Sequence, residues 1–132
     1  MYETRILFVC VENAGRSQMA EGFFRKFAVS EFLPQSAGTK PTNEINPLAV
    51  QVMKEVGIDI TEQKPKILSD DMIKKSAKIV NMGCMDKESC PALFVNNIID
   101  WNIPDPKGKP IDQVRKIRDE IETKVKELVA SL

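Results

Sequence analysis

The chain contains no histidine. That absence excludes the Cys-His and Ser-His dyads that activate many nucleophiles. With only 3 cysteines beside it, a structural zinc site has too few ligands, and neither a metal nor a cofactor is expected. Net charge is absent too: 19 Lys and Arg balance 19 Asp and Glu. A neutral chain lays down no broad electrostatic footprint for nucleic acid or an anionic membrane, so attraction for an anion must be local. No apolar run is long enough to span a bilayer. The opening MYETRILFVC carries Glu3 and Arg5 with only a short apolar run and does not read as a signal peptide. The expected location is the cytoplasm, where thiols stay reduced and cysteines are more often catalytic, redox-active or metal-binding than structural.

What remains is an ordinary soluble composition, 42% hydrophobic and 29% charged. Residues 1–132 are long enough for one domain with a sizeable core. RILFV, Arg5 to Val9, is apolar without alternation over Ile6–Val9, as in a strand buried on both faces of a parallel sheet. Ser17 to Ala28 predicts a helix, with Met19, Ala20, Phe23, Phe24 and Phe27 on one stripe. Phe32 to Ala37 predicts a second strand ending at Gly38. Asn46 and Pro47 start a second helix as N-cap and first residue, and Gly57 ends it. Ser69 caps a short helix through Lys75, Ala77 to Met82 forms a third strand, and Asn97 to Trp101 a fourth. From Ile111 the apolar residues Val114, Ile117, Ile121, Val125 and Leu128 step by three and four, the clearest helix in the chain. This alternation predicts an α/β three-layer sandwich on a four-stranded parallel sheet, without repeat or linker.

The loop between the first strand and helix, CVENAGR, lies where open α/β sheets bind ligands. Backbone N–H groups from Val11, Glu12, Asn13, Ala14 and Gly15 through Arg16 and Ser17 can converge there on an anion, with the helix dipole behind them. Gly15 permits a tight turn. Arg16 can grip two oxygens of a tetrahedral oxyanion. Cys10 lies at the floor. A helix N-terminus and a neighbouring cation favour a thiolate, and Ser17 can donate to the sulfur. Cys10 is then a nucleophile; the alternative is a buried core cysteine that ends a strand.

VCVENAGRSQMAEGF resembles the signature of the low-molecular-weight tyrosine phosphatase fold, with Cys-x5-Arg-Ser between first strand and first helix. That resemblance implies a general acid in an Asp-Pro before the last helix, here Asp105-Pro106. Those phosphatases usually follow it with a tyrosine pair. Here Lys107-Gly108 follows, and the only tyrosine is Tyr2. A small oxyanion fits such a site better than an aromatic ester.

Cys84 and Cys90 stand six residues apart in MGCMDKESCPA. Together with Cys10, NPLAVQVMKEVGIDI, DPKG and IRDEIETKV, they are similar to the thioredoxin-coupled arsenate reductases along the whole chain. The resemblance implies that Cys10 attacks arsenate, held by Arg16 and the loop amides, while Asp105 protonates the leaving hydroxyl. Cys84 then attacks Cys10 and releases arsenite, Cys90 takes the disulfide from Cys84, and thioredoxin reduces it. Phosphate and sulfate are competing oxyanions, and the acting species is expected to be a monomer. Were 84–90 one helix, the two Cα atoms would lie about 9 Å apart, beyond the roughly 7 Å a disulfide allows. The segment therefore has to unwind, between Gly83 and Pro91. Some such reductases hold potassium beside the loop. Asn13, Glu21 and Ser36 match that site, but Lys66 stands where the family has an aspartate. The alternatives are a phosphatase or small phosphate-ester hydrolase of the same fold, or an oxyanion-binding, redox-sensing module without turnover. Against the last, mere binding has no use for Asp105.

Overall fold

A computed structural model describes residues 4–29, 31–82 and 98–132. Strand β1 (Thr4–Cys10) pairs in parallel with β2 (Phe32–Gly38) on one side and with β3 (Ser76–Asn81) on the other. A short β4 (Ile98–Asp100) adds to β3, giving the order β2-β1-β3-β4. The pairing aligns Cys10 with Gly38 and Val9 with Asn81. Three strand ends therefore open side by side onto one edge, the usual binding edge of a parallel sheet.

β1 buries both faces, which explains its unbroken apolar run. Ile6, Phe8 and Cys10 face a core formed with α1 (Arg16–Phe27), α2 (Pro47–Glu55) and α4 (Ile111–Ala130). Leu7 and Val9 face a smaller core with Ile73 of α3 (Asp70–Lys75). The three layers are helices, sheet and helix. Phe8, Phe23 and Phe24 are fully buried, and Phe8 packs against Phe24 and Trp101 at ring-centroid distances of 5.9 Å. Burying each such ring contributes about 1.5–3 kcal/mol.

Helix starts follow the caps read from sequence. The Asn46 side chain accepts from the Leu48 N–H at 2.9 Å, with Pro47 as first helical residue. Ser69 accepts from the Met72 N–H at 3.2 Å. α1 differs. Its N-cap is Gly15, with no side-chain cap and no acidic residue in the first turn. It starts at Arg16, one residue earlier than expected, because the Met19 N–H reaches back to Gly15 O at 3.0 Å. Its end is thus left open to an external anion. No described helix is long and apolar enough to cross a membrane.

Candidate active site

Residues 11–15 are pinned by their carbonyls. Val11 O accepts from the Lys40 N–H at 2.8 Å, Glu12 O from Thr42 at 3.1 Å and Ala14 O from Asn46 at 2.8 Å. Asn13 O accepts from Gln18 Nε2 at 2.9 Å. A trans peptide sets its N–H opposite its C=O. The carbonyls of Val11, Asn13, Ala14 and Gly15 are all engaged, so the N–H groups of Glu12, Ala14, Gly15 and Arg16 point the other way. None of those four N–H groups has an acceptor among the described residues. They border a cavity of about 600 Å³ with Cys10 in its lining.

Cys10 is 3% exposed. Its Sγ lies 2.8 Å from Ser17 Oγ. Ser17 Oγ in turn accepts from Asn13 Nδ2 at 2.7 Å, and Asn13 Oδ1 accepts from the Lys66 N–H at 2.8 Å. The backbone donor fixes the orientation of the Asn13 amide. Its NH₂ then occupies one lone pair of Ser17, whose hydroxyl is free to donate to the sulfur when Cys10 is a thiolate. Asn13 has φ of +52°, the only non-glycine residue with positive φ among those described. Asparagine tolerates that left-handed conformation better than most residues.

Arg16 is buried at the cavity wall. Its Nη1 donates to Ile103 O at 3.0 Å, and Nη2 lies 3.8 Å from Asp105 Oδ2. The Asp105 carboxylate is 55% exposed and accepts from the Lys107 N–H at 3.0 Å. Pro106 lies against Gly15, where an added Cβ would meet Pro106 Cγ at 2.9 Å. Asp105, distant in sequence, therefore faces one space with Cys10 and Arg16 of the loop. The 42–47 segment forms another wall, and no aromatic side chain lines the cavity among the described residues.

Residues 5–132 match the family model described as low molecular weight phosphotyrosine protein phosphatase. The chain belongs to this family. Within it, the chain is similar to an arsenate reductase of Staphylococcus aureus strain Newman, 38% identical over 123 residues and covering 92% of each chain. It is also similar in structure to a thioredoxin-dependent arsenate reductase of Corynebacterium glutamicum, with TM-score 0.83 and 35% identity. That match covers 98% of this chain and 62% of the other. A low molecular weight protein tyrosine phosphatase from T. tengcongensis superposes at TM-score 0.88 with 27% identity, covering 98% of this chain and 100% of that one. The phosphatase resemblance read from the loop, and the resemblance to arsenate reductases, both hold.

The loop residues divide between the cavity lining and the surroundings of the sulfur, where Ser17 stands as a neighbour of Cys10. Val11, Glu12, Ala14, Gly15 and Arg16 line the cavity, whereas Asn13 and Ser17 stand behind the sulfur. Cys84 and Cys90, and the unwinding expected between them, lie outside the described residues. Asn13, Glu21, Ser36 and Lys66 do come together. Ser36 Oγ donates to Glu21 Oε1 at 2.7 Å, Arg25 Nη2 to Glu21 Oε2 at 2.9 Å, and Lys66 Nζ lies 3.9 Å from Glu21 Oε1. Two cationic side chains already share this carboxylate, and Asn13 Oδ1 is taken. The donor set does not fit a potassium ion.

The contacts that the 40–46 segment and Gly38 make with the loop carry no signal in the sequence. An added Cβ at Gly38 would lie 2.5 Å from Val11 O and 2.9 Å from Asn13 N, both backbone atoms. Gly38→Ala is therefore expected to push the loop off its place. The expected cost is about 1–3 kcal/mol of stability, together with lost turnover, read by urea unfolding and by steady-state rates on the folded variant.

Proposed function

We propose that this chain reduces arsenate to arsenite. Cys10 attacks arsenic, and the leaving hydroxyl departs as water with a proton from Asp105. Arg16 and the N–H groups of Glu12, Ala14, Gly15 and Arg16 hold the remaining oxygens and the charge that develops on them. The Cys84 thiolate then attacks the Cys10 sulfur. The electron pair of the sulfur–arsenic bond goes to arsenic, which leaves as arsenite, and a Cys10–Cys84 disulfide remains. Cys90 attacks Cys84, and the resulting Cys84–Cys90 disulfide is reduced by thioredoxin. Such a relay needs a reducing compartment, which fits the cytoplasm.

The observation that carries this reading is the convergence of Cys10, Arg16 and Asp105 on one anion cavity without an aromatic wall. The two arsenate reductases among the named relatives support it over a purely hydrolytic role. Phosphate-ester hydrolysis accompanies it as a weak side activity, since the same groups serve it.

The test is thioredoxin-coupled NADPH oxidation with arsenate, beside phosphate-ester hydrolysis, in wild type, Cys84→Ala and Cys90→Ala. Arsenate turnover is expected to vanish in both variants while ester hydrolysis survives. Fast ester hydrolysis by the wild type with no arsenate-dependent oxidation would sink the reductase and leave a phosphatase.

A further inference from the structure

We infer that Glu12, acting through Lys107, is a positioning residue for Asp105. The inference rests on the reading of Asp105 as proton donor. Glu12 belongs to the anion loop, and Lys107 belongs to the turn that carries Asp105, 95 positions away. Lys107 Nζ donates to Glu12 Oε1 at 2.9 Å and lies 3.4 Å from Oε2. The backbone N–H of the same Lys107 donates to Asp105 Oδ1 at 3.0 Å. One residue thus bonds the carboxylate of the proton donor through its main chain and the nucleophile's loop through its side chain.

The turn around Lys107 is tight. The Lys109 N–H donates to Pro106 O at 3.1 Å, and Gly108 takes φ of +75°. An ion pair that anchors the Lys107 side chain to the loop therefore restrains the short turn that carries both its own N–H and Asp105. The direct link from Asp105 to the opposite wall is the looser one, 3.8 Å to Arg16 with the carboxylate over half exposed. The Lys107 pKa is raised, first by the hydrogen bond it donates to Glu12 and then by the charge of that carboxylate, with Asp105 adding to it. The pair also neutralises a carboxylate that would otherwise border an anion site unopposed.

A proton donor matters most when the departing group is a poor one. Positioning therefore predicts a leaving-group dependence that a general loosening of the site would not produce. Glu12→Gln, Lys107→Met and the charge swap Glu12→Lys with Lys107→Glu are compared on phenyl phosphate and 4-nitrophenyl phosphate. Arsenate-dependent NADPH oxidation is measured alongside. Each single variant is expected to lose about threefold to fivefold in kcat on phenyl phosphate, the range open to an exposed ion pair. Little loss in kcat is expected on 4-nitrophenyl phosphate, whereas Lys107→Met, which leaves the Glu12 carboxylate unopposed at the anion site, should raise KM for both esters; the swap should recover the phenyl phosphate kcat. Equal losses on both esters, or none, overturn the inference, as does a wild type that hydrolyses neither. If the leaving-group pattern appears without arsenate-dependent oxidation, the tether stands and the reductase reading falls.

Discussion

Cys10→Ser is expected to abolish arsenate reduction and ester hydrolysis together while the fold stays in place. The loss should be on the order of 10⁴–10⁶-fold, the scale on which removing a nucleophile acts. A serine hydroxyl attacks only when a base takes its proton, and the chain has no histidine to do so. Ser17 is the group beside the sulfur, and its oxygen already accepts from Asn13. The Glu12 carboxylate at the cavity is held by Lys107. Reduction fails for a second reason. An oxygen–arsenic ester at residue 10 has no route to a disulfide, so Cys84 has nothing to attack and arsenic gains no electrons. The fold should survive because the change is nearly isosteric and Ser17 remains as a partner for the new hydroxyl. Rates on arsenate and on 4-nitrophenyl phosphate, with urea unfolding of the same preparation, check both halves. Residual ester hydrolysis near the wild-type rate would remove Cys10 from the chemistry.

Where side chains carry the pattern, the sequence showed the architecture. The unbroken Ile6–Val9 run announced a strand with two buried faces, and both faces are packed. Asn46-Pro47 and Ser69 announced helix starts, and both caps are made. The stripe from Val114 to Leu128 is the buried face of α4. Cys10, Arg16 and Asp105 were legible because nucleophile, oxyanion grip and acid each call for a particular residue type. Their meeting in one cavity needed the fold.

The parts that stayed hidden have physical reasons. The 40–46 segment acts through the N–H groups of Lys40, Thr42 and Asn46, and every residue but proline offers one. Gly38 is demanded by the close approach of Val11 O and Asn13 N, not by its own dihedrals. The Glu12–Lys107 pair joins positions 95 apart with nothing local to announce it. Asn13 was read as a cradle residue on its position alone. Its role depends on a left-handed backbone and on Lys66, neither of which periodicity reveals.

Asn13 therefore gives the second large effect. Asn13→Ala should destabilise the chain by about 2–5 kcal/mol, adding a part-buried donor left without its partner to the strain of a left-handed alanine. That is a large share of the roughly 5–15 kcal/mol that holds a domain together. The residue is fully buried. Its loss strips the Lys66 N–H of its acceptor and frees Ser17 from the amide that orients it. Asn13→Gly separates the two causes. Glycine keeps φ of +52° at little cost but loses the same two side-chain bonds. It should fall between wild type and alanine, about 1–2 kcal/mol above the alanine variant. Turnover should drop in both, because the Ser17 hydroxyl is no longer directed at the sulfur. Urea unfolding measures the first quantity, and rates at a temperature where both variants stay folded measure the second. If glycine proves as costly as alanine, the hydrogen bonds hold the loop and the backbone conformation adds nothing. If glycine restores wild-type stability and turnover, the chain of bonds from Lys66 through Asn13 and Ser17 to Cys10 is not what orients the nucleophile.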